Sequence, residues 1–412
     1  MTAGTGADLR AAAGTGADLG AAAGAADDPG VAPGVGTRPA TGFGWSPDEL
    51  AAVGVGHWRD LYTSADFAAR EQMSVFAPRW SLVASVEEIP PGHYLATTVA
   101  GVPVALWRGS DGALRAFHNI CPHRGILLLQ GTGPIGRFVT CPYHQWSFER
   151  DGSLARIPQP EQFPDADPSA LALHEVAVAE WHGLVLACVS GDAPDLDGQT
   201  ALLEDRLAHF LHAPLVEVAR VDYAVECNWK LLVENHVDVY HLWYLHQRSL
   251  AAYRHTSFQW RWEGPTWWSY EPLSDPSGAP AGLAGLSEDE RTGIGAHLLF
   301  PNLMLVTTGD YLATYDARPD GPTRTRMTLR VRSHPDADAD ALVASIRSFL
   351  AEDVKACEAV QLATASPWYS VGPTARRHEE PVRTFHRILR DDLLARMAGA
   401  ERQPGPAGGP SR

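Results

Sequence analysis

Cysteine is scarce in this chain: Cys121, Cys141, Cys188, Cys227 and Cys357 are the only five among 412 residues. That excludes a disulfide-stapled scaffold and suits a reducing, cytoplasmic setting where thiols stay free. Long apolar runs are missing too. No stretch of about 18 consecutive apolar residues occurs, so no membrane span is expected. Basic charge is in deficit, with 33 Lys+Arg against 49 Asp+Glu and a net charge of −16. An acidic chain repels polyphosphate, which argues against nucleic acid and anionic membrane as partners. Large aliphatic residues are almost absent from residues 1–42, where only Leu9, Leu19, Val31 and Val35 occur and AGTGADL appears twice, at 3–9 and 13–19. Such a tract buries too little apolar surface to offset its ordering entropy, so a disordered tail is expected. It has no basic start followed by an apolar stretch, so it does not read as a signal peptide. Residues 399–412 read as a second loose tail.

Between the tails the chain has what a globular protein needs. It is 45% hydrophobic and 20% charged, enough for a sizeable core. At roughly 150 residues per domain its length suggests two or three domains. WSLVASV, HYLATTV, VPVALWR, ALRAFHN, GRFVTCPYH, EVAVAEW and GLVLACV are short, β-branched or aromatic, and several are separated by turn signals. They predict an all-β domain over 45–195, with a helical lead-in to about residue 70. The polar stretch at 190–199 marks a boundary. The second domain, 200–398, mixes strands with helical patterns at 229–246 and 340–363, so it reads as α+β.

Two constellations carry chemistry. Cys121-Pro122-His123 is followed, after 17 residues, by Cys141-Pro142-Tyr143-His144. Two Cys/His pairs on tight turns can converge on a single zinc ion, or on a Rieske [2Fe–2S] cluster with two thiolates on one iron and two imidazoles on the other. Zinc fingers group cysteines first and histidines later; here each pair holds one of each, which favours the cluster. The segment between the pairs contains Gly131-Thr132-Gly133-Pro134-Ile135-Gly136, a match to G-x-G-x-x-G. A dinucleotide site needs a strand before that motif and a helix after it, and here a strand-like FVTC follows. The motif is therefore read as a turn between the two cluster loops.

In the stretch NWKLLVENHVDVYHLWYLH, Asp238, His241 and His246 stand at spacings of three and five. On an ideal helix His241 and His246 diverge by about 140°. The helix must end or distort near 242–245 if both bind one metal. Two histidines plus a later carboxylate form the facial triad of mononuclear non-haem iron oxygenases. Asp353, Glu352 and Glu358 all compete for the third place.

Taken together, RAFHNICPHRG with TCPYHQWSF, then NWKLLVENHVDVYHLWYLH, then EDVKACEAVQLATAS resemble the Rieske non-haem iron oxygenases over about residues 70 to 390. The resemblance is to the terminal oxygenase (α) subunit of the aromatic ring-hydroxylating dioxygenase type. It implies an all-β Rieske domain followed by a START-like catalytic domain, an antiparallel sheet flanked by helices. It implies that Cys121, His123, Cys141 and His144 hold the [2Fe–2S] cluster, that His241, His246 and Asp353 hold a mononuclear Fe(II), and that Asp238 is the bridging carboxylate. It also implies a homotrimer in which Asp238 joins its own His241 to a neighbour's His144. A ferredoxin or flavin reductase would supply electrons from NAD(P)H bound on another protein.

Substrate is less legible. Tyr253, Phe258, Trp260, Trp262, Trp267, Trp268 and Tyr270 could line a pocket for an aromatic or polycyclic substrate or cage a quaternary ammonium. The alternation in FQWRWE and TWWSYE favours core strands instead. Leu299, Phe300, Asn302, Met304 and Val306 read as a pocket-lining strand. The remaining cysteines read as inert buried thiols, Arg124 as a partner for an acidic group, and His118, His174, His182 and His236 as ordinary histidines. The net negative charge suits docking of a basic electron donor, expected to weaken with ionic strength.

Overall fold

The computed structural model describes residues 43–400 other than 110, 280–281 and 367. The tail expected at 1–42 and most of that at 399–412 lie outside the described residues. Residues 399 and 400 still belong to the last helix.

Three short helices lead in: α1 (Pro47–Ala52), α2 (Asp60–Thr63) and α3 (Ala65–Glu71). Ser46 and Glu49 cap α1 reciprocally, satisfying two free N–H groups at its start. Next come β1 (Ser81–Ser85), β2 (His93–Val99), β3 (Val102–Arg108), β4 (Leu114–His118) and β5 (Thr132–Pro134). A small sheet follows, of β6 (Val139–Thr140), β7 (Ser147–Phe148) and β8 (Leu154–Arg156). β9 (Glu175–Trp181) and β10 (Leu184–Cys188) return to the first sheet, whose order is β1-β10-β9-β4-β3-β2-β5. GTGPIG thus contributes β5, an edge strand paired with β2, and not the turn expected from its glycines. Pro134 is tolerated there because an edge strand has an unpaired side.

Helices α4 (Leu196–Arg206) and α5 (Ala208–Leu211) link this domain to the next. The second domain opens with β11 (Val216–Val225) and helix α6 (Trp229–Val237). The hairpin β12 (Gln259–Glu263) and β13 (Thr266–Pro272) comes next, then α7 (Glu288–Arg291). β14 (Gly293–Leu299), β15 (Leu303–Thr308), β16 (Tyr311–Pro319) and β17 (Thr325–Ser333) complete a seven-stranded antiparallel sheet, ordered β11-β17-β16-β15-β14-β13-β12. Two long helices, α8 (Ala339–Thr364) and α9 (Glu380–Ala400), cover it. The buried residues of α8 are Val343, Ile346, Leu350, Val354, Cys357, Gln361 and Thr364, steps of three and four that keep one stripe inward. No helix among the described residues is long and apolar enough to cross a membrane.

The lead-in helices do not pack where chain order suggested. Trp45, Leu50, Trp58, Leu61, Tyr62 and Phe67 share one core with Trp229, Leu232, Phe385 and Leu389 of the second domain. Part of what fastens them is a buried ion pair. Lys230 Nζ lies 2.7 and 2.9 Å from the two oxygens of Glu71, both side chains being fully buried. Burial pushes the Lys230 pKa down and the Glu71 pKa up, against the attraction between them. Removing one partner strands the other's charge, so Lys230→Met is expected to cost about 3–5 kcal/mol. Thermal unfolding of Lys230→Met against the double change Lys230→Met/Glu71→Leu checks this: the double variant should recover most of the loss.

Candidate metal centres

The two Cys/His loops are built alike. The Cys121 N–H donates to the Ile126 carbonyl at 2.9 Å, and the Gly125 N–H donates back to the Cys121 carbonyl at 2.9 Å. In the second loop the Cys141 N–H donates to Trp146 at 2.7 Å and the Gln145 N–H donates to Cys141 at 3.1 Å. The fifth residue of each turn is left-handed, Gly125 at φ +73° and Gln145 at +59°. Asn119, buried at the end of β4, clamps the first loop through the N–H groups of Leu128 and Leu129 and the Leu129 carbonyl.

These turns set the two cysteines beside each other and the two histidines beside each other. The side chains of Cys121 and Cys141 are buried and close enough to interact, and the His123 and Arg124 backbone N–H groups lie toward the Cys121 sulfur. Burial raises the Cys121 pKa and those N–H groups oppose the rise. The His123 and His144 rings have centroids 4.5 Å apart. The Nδ1 atom of each is buried without a hydrogen-bond partner. Two thiols facing each other beside two unpartnered imidazole nitrogens fit a [2Fe–2S] cluster with mixed ligation. The Trp146 ring stacks on His123 at 4.6 Å and holds its plane. Arg124 lies 6.0 Å over the Tyr143 ring, so its partner among the described residues is an aromatic ring.

The second constellation depends on a helix that stops early. The helix expected over 229–246 ends at Asp238, which takes an extended conformation with ψ 123°. Its carboxylate accepts the Tyr240 N–H at 2.7 Å and starts a 3₁₀ turn over Tyr240–Trp243. Aspartate favours this because its side chain competes for backbone N–H groups. Asp238 and His241 therefore meet across the break, at 3.5 Å, and not along a helical face. The break also folds His246 back onto His241.

His241 Nε2, His246 Nε2 and Asp353 Oδ1 close a triangle with sides of 3.1, 2.9 and 3.4 Å. Adjacent ligands about 2.1 Å from one ion stand about 3 Å apart, so the three atoms fit one face of a metal's coordination sphere. Of the three acidic candidates on α8, Asp353 faces the histidines. Glu358 turns away to accept the Glu226 N–H. Burial disfavours charge on the His241 ring, but the carboxylates of Asp238 and Asp353 outweigh it and push its pKa up to about 10. His246 shifts up as well, by the same opposition of burial and Asp353. Burial alone would raise the Asp353 pKa; the two histidines hold it well below the carboxylate range.

Glu352, a candidate for the third ligand in the sequence, takes a different role, and Asn235 was not singled out there at all. Glu352 approaches His246 from the far side: its carboxylate accepts from His246 Nδ1 at 2.8 Å and from the Ser249 hydroxyl at 2.5 Å. An Nδ1–H held by a carboxylate leaves the Nε2 lone pair free for a metal and makes it a better donor. Asn235 Nδ2 donates to Asp353 Oδ1 at 2.8 Å, steadying the third donor from α6. Glu352 is one residue from Asp353 and Asn235 is six from His241, and neither spacing repeats a recognisable motif. Glu352→Gln is expected to weaken iron binding about 10–100-fold while sparing the cluster, measured by iron competition with a chelator.

His236 is also less ordinary than expected. It is half-buried, with Nε2 2.9 Å from the His297 carbonyl, and desolvation of the ring pushes its pKa down to about 4. The strand expected to line a pocket divides between two cores: Phe300, Met304 and Val306 face the helices, while Leu299 faces α4 and α5.

Residues 79–182 match the Rieske [2Fe-2S] domain, and residues 213–395 match the ring hydroxylating alpha subunit catalytic domain. The chain is a Rieske-type non-haem iron oxygenase. This oxygenase is 27% identical to choline monooxygenase of Spinacia oleracea, over 84% of its own length and 80% of the relative. It is 28% identical to the glycine betaine monooxygenase oxygenase subunit of Chromohalobacter salexigens, over 82% and 85%. Its fold matches the quaternary ammonium Rieske monooxygenase CntA in complex with L-carnitine, with TM-score 0.69 and 24% identity, covering 81% of this oxygenase and 94% of that chain. The oxygenase is thus an oxidoreductase built from a Rieske domain and a helix-covered antiparallel catalytic sheet.

Proposed function

We propose that this oxygenase hydroxylates a small quaternary ammonium compound, as a monooxygenase. The observation that carries the proposal is the match to choline and glycine betaine monooxygenases over most of their length. The catalytic core adds chemical support. His236 adjoins Asp353 and His241. Its ring centroid lies 6.0 Å from that of Trp267, which lies 6.4 Å from both Phe258 and Trp262. Rings in a low-dielectric core offer negative faces to a cation that has no N–H to donate. An aromatic substrate could pack against the same rings, so aromatic hydroxylation is the competing outcome of the test.

In this proposal Cys121, His123, Cys141 and His144 hold the cluster, and His241, His246 and Asp353 hold Fe(II). A bound cluster relays single electrons, and bound iron brings O₂ and a substrate C–H bond together. The net reaction places one oxygen atom in the product and the other in water, consuming two electrons and two protons. This chain's residues do the rest. Glu352 fixes the His246 tautomer, Asn235 steadies Asp353, and Asp238 orients His241. Electrons would come from NAD(P)H bound on a separate flavin reductase, directly or through a ferredoxin.

The proposal includes a homotrimer, supported by what the surface exposes. Ile120, Ile126, Leu127, Phe138 and Tyr143 stand exposed around the cluster loops, and Tyr240 and Tyr244 flank the iron histidines beside Asp238. A cavity of about 780 Å³ opens against His123 and His144. Within one chain Asp238 and His144 share no hydrogen bond. A second copy docking its cluster loops onto the Asp238 region would cover the apolar residues and bring cluster and iron sites together. A cytoplasmic setting suits the five unpaired cysteines.

The test is turnover with a surrogate reductase on choline, glycine betaine and carnitine against naphthalene and indole, reading product mass and oxygen uptake. Carbon isosteres that replace nitrogen by carbon serve as controls. Turnover of the ammonium compounds, lost with the isosteres, supports the proposal; turnover of the aromatic hydrocarbons alone overturns it.

A further inference from the structure

His182, Glu204 and His212 lie outside both centres and have no part in the proposed reaction. Each offers one donor atom, and the three atoms lie within 4.8 Å of one another. Three separate elements supply them. His182 occupies the two-residue turn between β9 and β10, Glu204 projects from α4, and His212 terminates α5.

We propose that these three residues form a third metal site, taking a divalent ion of the zinc type. Glu204 Oε1 accepts from Trp181 Nε1 at 2.7 Å and from His182 Nε2 at 2.8 Å. Glu204 Oε2 stands 3.9 Å from His212 Nε2. The two separations are to different oxygens of the one carboxylate, one shorter and one longer than the roughly 3.3 Å expected between ligands about 2.0–2.1 Å from a tetrahedral ion. The iron-site triangle of this same chain has sides of 2.9 to 3.4 Å, so only His212 needs to close in. The two rings stand nearly perpendicular, 85° apart with centroids at 4.9 Å, so both can present an edge nitrogen to one point.

Two features set the cluster apart from a chance surface group. Trp181 holds the carboxylate from behind, as an outer partner does for a ligand. His182 is one of five non-glycine residues with positive φ among the described residues, at +46°. Together with Gly183 at +82° it makes a hairpin turn in which both central residues are left-handed. Asparagine, aspartate or glycine ordinarily fills such a position. Histidine there accepts a local conformational cost and gains a nitrogen aimed at Glu204.

Two imidazoles and one carboxylate select zinc, cobalt, nickel or copper over magnesium and calcium. His212 is 68% exposed along its side chain, which leaves room for water to complete the sphere. Binding frees the His182 Nε2 lone pair, so its proton moves to Nδ1 or to solvent. The ion would tie the last hairpin of the Rieske domain to the linker helices. Its consequence is mechanical: it stiffens the junction between the cluster domain and the catalytic domain.

The test uses full-length enzyme with cluster and iron loaded, titrated with Zn²⁺ alone. Wild type should take one further equivalent at micromolar concentration and melt at a higher temperature. His182→Asn keeps a residue suited to the left-handed turn, and His212→Gln removes the exposed donor. Each should weaken that extra binding at least about tenfold, with iron, sulfide and cluster absorbance unchanged. The proposal is overturned if the double variant binds Zn²⁺ as wild type does. It is equally overturned if wild type binds none below about 100 µM, or if zinc enters only as iron leaves.

Discussion

Asp353→Ala is expected to abolish turnover while leaving the visible spectrum of the Rieske centre intact. Among the described residues Asp353 supplies the carboxylate oxygen within 3.4 Å of both His241 Nε2 and His246 Nε2. Without it a divalent iron keeps two neutral imidazoles and no compensating charge. Neither neighbour can substitute. Glu352 is engaged with His246 Nδ1 and Ser249 on the far side of the ring, and Glu358 caps the Glu226 N–H. Iron should fall from about three to about two per two sulfides, and product formation below about 0.1% of wild type. A variant that retains both the third iron and turnover would remove Asp353 from the site. Asp238 and Asp353 together set how the site loads. With the His241 pKa raised to about 10, metal-free enzyme carries a proton on that ring at neutral pH. Fe(II) must displace it, so iron affinity should rise with pH below that value and each binding event should release protons to buffer.

Asp238→Asn should lower turnover about 100-fold or more with both metals and the oligomer retained. Asp238 lies 3.5 Å from His241 Nδ1, just outside the iron triangle, and caps the 3₁₀ turn that carries His241. Asparagine keeps an oxygen for the Tyr240 N–H, so the turn should survive. What it loses is the charge, which stabilises a protonated His241 Nδ1 and would do the same for a neighbour's His144. Reduction of the cluster by its donor should be unchanged, while delivery of that electron to product slows. Stopped-flow absorbance of the cluster, followed by product quantification, separates the two steps. Ordinary turnover in a metal-replete, trimeric variant would refute the bridging role; a monomeric wild type would refute the trimer itself.

Much of the fold was legible from local pattern. The strands of the first domain declare themselves because alternation and turn residues are local signals, and β1 to β4, β9 and β10 fall on them. Helix α8 is legible because its buried stripe repeats every three to four residues over 26 residues. The lead-in helices were assigned by position in the chain, and position carries no information about partners. Their core is made with residues more than 150 positions away, through Glu71 to Lys230 and Tyr62 to Glu234. GTGPIG was taken for a turn because glycine is ambiguous between turn and edge strand; pairing with β2 decided it.

The sites divide in the same way. Cys121, His123, Cys141 and His144 were legible as a candidate set from the sequence, because two matched Cys/His turns are local signals, but their meeting depends on two separate sheets holding the two loops side by side. His241 and His246 were nearly so, once the break at Asp238 is recognised as something aspartate does to a helix. Choosing among Glu352, Asp353 and Glu358 needed the tertiary structure. Adjacent helix positions differ by about 100°, and only the docking of α8 against α6 shows which of them faces the histidines. Glu352 as the partner of His246, Asn235 as the partner of Asp353, and the meeting of His182, Glu204 and His212 were likewise decided by packing. They join residues from separate elements whose spacing in the chain encodes nothing about their distance in space.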